Sequence, residues 1–184
     1  YLAGILEQKG HQVVAEGIQS FLDVLVIYTC GFIEAARAQS LDVLEAYLEA
    51  KRTCRNPRHI VLVGCLTQRY GSALQAELPG VDAIAGVGRP EAVANLVEHV
   101  GSTPADSPAP VSAILDTPSP SMAISRPLPR KRLDSSPSAY LKIADGCNHQ
   151  CSFCAIPAMK GPYVSVPREI LLAEACEMVR SGIR

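Results

Sequence analysis

The chain has 184 residues, 48% hydrophobic and 19% charged, and its 17 basic and 18 acidic side chains leave a net charge of −1. That length suits one medium domain or two small ones, and the hydrophobic fraction excludes a wholly disordered chain. The charge balance argues against a globally basic nucleic-acid binder, although a local basic patch stays open, and no apolar run approaches the roughly 18 residues needed to span a bilayer.

The first residues, Tyr1-Leu2-Ala3-Gly4-Ile5-Leu6-Glu7, read as the middle of a helix, and the last, Gly182-Ile183-Arg184, fall just after another. The expectation is an excerpt of a longer protein. Residues 22–29 form a nearly continuous apolar run rich in β-branched side chains, which predicts a strand buried on both faces, as in a parallel sheet. Residues 34–52 favour helix, with Leu41, Leu44 and Leu48 on one face. A second strand is predicted over 59–63, a helix over 67–78 stopped by Pro79-Gly80, a short strand over 82–87, and a helix from Pro90 to about Val100. Strand alternating with helix predicts an open, mostly parallel α/β sheet within a first domain of residues 1–100.

Residues 101–138 hold eight of the 14 prolines, with Ser, Thr and Ala between them, and read as a linker or surface excursion. This stretch ends on Arg126, Arg130, Lys131 and Arg132. Two readings of that run are open: a solvated charge cluster, or a contact for a ribosome or RNA. From Tyr140 a new unit begins, residues 139–184. Tyr140–Ala144 alternates like a strand, a cysteine-rich loop follows, and a helix is predicted from about Pro167 to Ser181. Glu169 in its first turn and Arg180 in its last complement its dipole.

Seven cysteines, an odd number without a secretory signal before them, fit a reducing compartment with some thiols as metal ligands better than a disulfide framework. Cys147, Cys151 and Cys154 have the spacing C-x-x-x-C-x-x-C directly after the predicted strand. Three soft thiolates on so short a loop suit three corners of a four-iron cubane and leave the fourth iron open. The rival is a structural zinc site completed by His149 or a distant cysteine, although no second cysteine pair at zinc spacing is present. Cys30, followed by Gly31, and Cys65, preceded by Gly64, each fall at the carboxyl end of a predicted parallel strand, the edge at which open α/β sheets bind ligands. They suggest a second metal site that is one ligand short; buried unreactive thiols are the alternative. Cys54 and Cys176 read as ordinary thiols.

The loop Gly146–Pro157 resembles that of the radical S-adenosylmethionine superfamily. With Cys30-Gly31-Phe32-Ile33 and Gly64-Cys65-Leu66-Thr67-Gln68-Arg69-Tyr70, the stretch Tyr140–Pro157 is similar to the methylthiotransferase family, closest to its branch acting on ribosomal protein S12. The resemblance implies a flavodoxin-like domain followed by the first β/α unit of a radical (β/α) barrel. It implies that Cys147, Cys151 and Cys154 hold one [4Fe-4S] cluster whose open iron takes S-adenosylmethionine, with Phe153 near the adenosine. It implies that Cys30 and Cys65 are two of three ligands to a second [4Fe-4S] cluster, the third preceding Tyr1. The implied reaction is methylthiolation of the β-carbon of an aspartate in ribosomal protein S12. In it, one S-adenosylmethionine supplies the methyl group and a second supplies the radical that removes hydrogen. The implied partners are the small ribosomal subunit and an electron donor such as flavodoxin, with no membrane, in the cytoplasm. A tRNA adenosine methylthiotransferase and a non-catalytic zinc-stabilised binding module are the alternatives. Two positions depart from the family: Tyr28 stands where Asn is usual, and Val166 where Arg is usual. The excerpt alone is expected to be inactive.

Overall fold

A computed structural model of the protein describes residues 1–15, 21–104, 112–114, 127–134 and 136–183. In chain order its elements are α1 (Leu2–Gln8), β1 (Val24–Thr29), α2 (Glu34–Cys54), β2 (His59–Gly64), α3 (Cys65–Glu77), β3 (Ala83–Ala85), α4 (Pro90–Gly101), β4 (Ser112–Ile114), β5 (Ala144–Asp145), α5 (Ile156–Lys160), β6 (Val164–Ser165) and α6 (Arg168–Arg180). They fall into two units, one comprising Gln19–Thr117 and the other Tyr1–Ile18 with Pro118–Arg184. Among the described residues no helix is long and apolar enough to cross a membrane.

The first of these units is an α/β sheet in the order β1-β2-β3-β4, with every neighbouring pair parallel. Register follows from side-chain alternation. Leu25, Ile27, Ile60, Leu62 and Ile84 share one face, where Val43, Leu44, Tyr47 and Leu48 of α2 cover them. Val61, Val63, Ala83 and Ala85 are buried on the other face, and α4 packs on the same strands with Val93, Ala94, Val97 and Val100 buried. This two-sided burial is why β2 reads as an unbroken apolar run; β1, at the edge of the described strands, is only partly buried at Val24, Leu25 and Val26 and exposes Tyr28, so the burial on both faces expected for residues 22–29 is not found there. Leu44, only 2% exposed, is central to the α2 contact. Leu44→Ala is expected to remove about 2–5 kcal/mol of stability, read as a lower urea midpoint with an unchanged slope.

The Pro-rich stretch 101–138 is not wholly an unpacked linker. Its residues Ser112, Ala113 and Ile114 pair with Ala83, Ile84 and Ala85 as β4. No proline interrupts these three positions, so each N–H is available to the otherwise open edge of β3.

The amino-terminal edge of the sheet is closed by a polar network. His59 Nδ1 lies 3.2 Å from Asp82 Oδ1, and its Nε2 lies 3.2 Å from the Thr103 carbonyl. Asp82 Oδ2 also accepts from Lys51 Nζ at 2.5 Å and from the Ile60 N–H at 2.7 Å. The carboxyl-terminal edge carries the cysteines instead.

In the second unit α1 packs on the chain around Pro129. A Cβ added to Gly4 would lie 2.5 Å from the Pro129 carbonyl oxygen. The basic run is committed internally. Arg130 donates to Glu174 Oε1 at 2.8 Å and to the Tyr140 carbonyl at 2.8 Å. Lys131 pairs with Glu7 and donates to the Val13 carbonyl at 3.0 Å, and Arg132 pairs with Asp134 at 2.9 Å. Arg130 and Lys131 thus join distant segments of the unit, whereas the Arg132 pair is local and exposed; Arg126 lies outside the described residues. The Tyr1 hydroxyl donates to Glu174 at 2.5 Å, and burial, then that bond, push the phenol well above its ordinary pKa. Glu174→Ala leaves Arg130 without its buried partner, and a loss of about 3 kcal/mol in the urea unfolding of this unit is expected.

The strand predicted over Tyr140–Ala144 is shorter than its alternation suggests. Only Ala144–Asp145 forms a ladder, antiparallel to β6. The Tyr140 carbonyl goes to Arg130 rather than to a neighbouring strand. The predicted terminal helix is α6, with Glu169 and Arg180 at its ends. Val166, one of the two departures from the resemblance, is buried with Ile170 against Leu128 and Leu171.

Candidate metal centres

Cys30 and Cys65 leave adjacent strands at the same level. Their preceding residues, Thr29 and Gly64, are register partners. Gly64 has φ 126° and ψ −154°, a conformation essentially restricted to glycine. It turns β2 directly into α3, whose first residue is Cys65. The turn after β1 then lies against that junction. A Cβ on Gly31 would meet the Leu66 Cα at 2.9 Å and the Cys65 carbonyl oxygen at 3.0 Å. Ser40 Oγ accepts the Cys30 N–H at 3.2 Å. Both thiols are partly exposed, and neither is in a disulfide.

The residues after Cys65 tie this edge together, a role the linear sequence does not reveal. Thr67 is fully buried, and its hydroxyl lies 2.8 Å from the Gly64 carbonyl and 2.5 Å from that of Ala85. Gln68 Oε1 accepts the Val87 N–H at 3.0 Å, and the side chain occupies the space a Cβ on Gly86 would need. Arg69 donates to the Gly31 carbonyl at 3.2 Å. The available signal is three consecutive polar side chains, Thr67-Gln68-Arg69, one residue beyond a strand-end cysteine.

The second set, Cys147, Cys151 and Cys154, sits on the loop between β5 and α5. Gly146, with φ 75°, opens that loop, and a Cβ there would lie 2.0 Å from the Pro162 carbonyl oxygen. Asp145 anchors its base. Burial opposes ionisation of this carboxyl, but the Lys142 hydrogen bond at 2.5 Å, the Lys160 charge 3.8 Å away and the Gly146 N–H hold it below its ordinary value. The Cys147 N–H donates to the Gly161 carbonyl at 3.1 Å, and Asn148 Oδ1 accepts the Tyr163 N–H at 2.9 Å. The His149 N–H donates to Cys147 Sγ at 3.4 Å, so the backbone already directs a proton donor at one sulfur. Cys151 is exposed, Cys147 and Cys154 are partly so, and Phe153 is 90% exposed. Three thiols on a backbone pinned at both ends are a donor set whose chemistry fits an iron–sulfur cluster. Among the described residues, no three His, Cys, Asp or Glu side chains are already drawn together in a ligating group. Cys54 and Cys176 are both exposed.

A parallel α/β sheet with thiols on its carboxyl edge, joined in one chain to a C-x-x-x-C-x-x-C loop, gives a protein with two candidate cysteine donor sets. Residues 1–86 match the family described as "Uncharacterized protein family UPF0004". The whole chain is similar to the ribosomal protein uS12 methylthiotransferase RimO of Moorella thermoacetica, at 40% identity over 184 residues, covering 100% of this chain and 39% of that protein. It is similar to the protein of the same name from Clostridioides difficile at 32% identity, covering 100% and 39%, and to that from Trichlorobacter lovleyi at 37%, covering 100% and 38%. Along its whole length the chain is thus similar to proteins named as methylthiotransferases. It spans about two fifths of the length of the curated relatives it matches.

Proposed function

We propose that the chain is part of a radical S-adenosylmethionine methylthiotransferase that adds a methylthio group to the β-carbon of an aspartate in ribosomal protein uS12. Similarity along its whole length to proteins named for that activity carries this reading. Residues 1–100 are read as a flavodoxin-like domain, 101–138 as a connecting segment, and 139–184 as the first β/α unit of a radical barrel. The location is the cytoplasm, and the electron donor is a small redox protein of the flavodoxin kind.

Cys147, Cys151 and Cys154 would hold one four-iron cluster, and Cys30 and Cys65 would supply two ligands to a second. When bound, the first cluster supplies the electron that makes S-adenosylmethionine a source of a hydrogen-abstracting carbon radical. The chain's own contribution is geometry and charge. Gly146 lets the loop turn tightly against Pro162, and the Lys142–Asp145–Lys160 cluster fixes the strand that delivers Cys147. The His149 N–H stabilises negative charge on the Cys147 sulfur. At the sheet edge, Gly31 and Gly64 allow the two cysteine turns to approach. The exposed Phe153 is available to close over a bound nucleoside.

The test is anaerobic reconstitution of the full-length protein with iron and sulfide, followed by incubation with S-adenosylmethionine, a reductant and either uS12 or tRNA. A gain of one methylthio group on uS12 is expected. Modified tRNA with unchanged uS12 would overturn the substrate, and a colourless zinc protein without labile sulfide would overturn the chemistry.

A further inference from the structure

We propose that Arg69 is a positioning residue that holds the Cys30 turn against Cys65, and so sets the separation of the two thiols. The inference deepens the reading of these cysteines as metal ligands and rests on it only for its functional consequence.

The peptide units around Cys30 are held from two helices. Ser40 of α2 accepts the Cys30 N–H at 3.2 Å and turns its own hydroxyl proton to the Ala36 carbonyl at 2.8 Å. On the other side, Arg69 of α3 donates to the carbonyl of Gly31. Arg69 lies one helical turn beyond Cys65, so a single rigid element carries one cysteine and grips the turn that carries the other. The guanidinium is itself oriented. Its Cζ lies 5.1 Å from the Tyr70 ring centroid, and Arg37 of α2 lies 5.3 Å from the same ring. The Arg37–Tyr70–Arg69 stack thus joins the two helices that follow the two cysteine turns.

The neighbouring side chains do corresponding work on the far side. β2 lies between β1 and β3, and α3 starts at its end. From that central position Thr67 and Gln68 reach the end of β3, and Arg69 reaches the end of β1. Thr67 is buried and part of the fold. Arg69 is exposed at the surface, so removing it does not open the core. Its contribution is to the placement of Cys30, and global stability is expected to be nearly insensitive to it.

The experiment uses the full chain with Cys54, Cys147, Cys151, Cys154 and Cys176 replaced by serine. The rate at which dibromobimane bridges Cys30 to Cys65 is followed by fluorescence. Arg69→Ala is expected to slow bridging about fivefold, the factor matching one modest hydrogen bond, while the melting temperature stays within a few degrees. Arg69→Lys, which keeps a donor and a charge, is expected to recover most of the rate. An unchanged rate in Arg69→Ala would overturn the role of Arg69 and leave the paired cysteines standing. A slowed rate with an equal fall in melting temperature and no recovery by lysine would also overturn it, since the effect would then be loss of fold. No bridging in the parent protein would overturn both this proposal and the pairing of Cys30 with Cys65.

Discussion

Gly64→Ala is expected to destabilise the sheet unit by about 3 kcal/mol or more, a large fraction of the roughly 5–15 kcal/mol that holds a domain folded. Two effects add. The backbone at Gly64 lies at φ 126° and ψ −154°, where an L side chain is strained by about 1–3 kcal/mol. In addition, the new Cβ would lie 2.5 Å from the Thr29 carbonyl oxygen and 3.2 Å from the Thr29 nitrogen, both backbone atoms of the paired strand. Neither can move without opening the end of the β1–β2 ladder, which adds an overpacking cost of similar size. Gly10→Ala is the matched control: φ is 91° there, but nothing lies within 4 Å of the added atom. Strain without collision is expected to cost about 1 kcal/mol. Urea unfolding of the two variants separates the terms. Equal effects at the two positions would mean that β1 and β2 do not meet at Thr29 and Gly64.

Cys151→Ala in the full-length protein is expected to abolish methylthiolation and to lower the iron bound after anaerobic reconstitution by about four atoms per chain. On the proposed reading a cluster held there by three local thiolates could not spare one of them. Cys30→Ala is expected to reduce iron independently, since the proposed reading assigns it to the other donor set. Cys54→Ala and Cys176→Ala are expected to change neither iron nor activity. Labile sulfide and the visible spectrum of each variant, measured beside iron, check the assignment. Full iron and sulfide in Cys151→Ala would remove this loop from cluster binding.

The core of the sheet unit is legible in the linear sequence for a physical reason. A strand buried on both faces must be apolar at every position, so Ile60–Val63 stands out without any partner being known; Val24–Ile27 is equally apolar, although only Ile27 of it is buried. Leu44 and Leu48 repeat at a helical spacing because one side of α2 meets that sheet. The cysteine loop is legible because short-range ligand spacing is a local property. The basic run misleads for the opposite reason. Charge is visible in a sequence, but its partner is not, and Glu174 lies 44 residues beyond Arg130. Val166 likewise reads as a missing charge until its burial beside Ile170 is known.

Composition and periodicity alone therefore dictate an alternating α/β chain with thiols at two strand ends and on one loop. Tertiary structure alone decides that Thr29 and Gly64 are neighbours, that the proline-rich stretch supplies a strand to an open edge, and that Arg130 and Lys131 serve as internal staples. Patterns of burial repeat at intervals of two and three to four residues and are written locally. Hydrogen bonds and ion pairs between distant segments depend on where the folded chain brings their ends, and no local pattern records that.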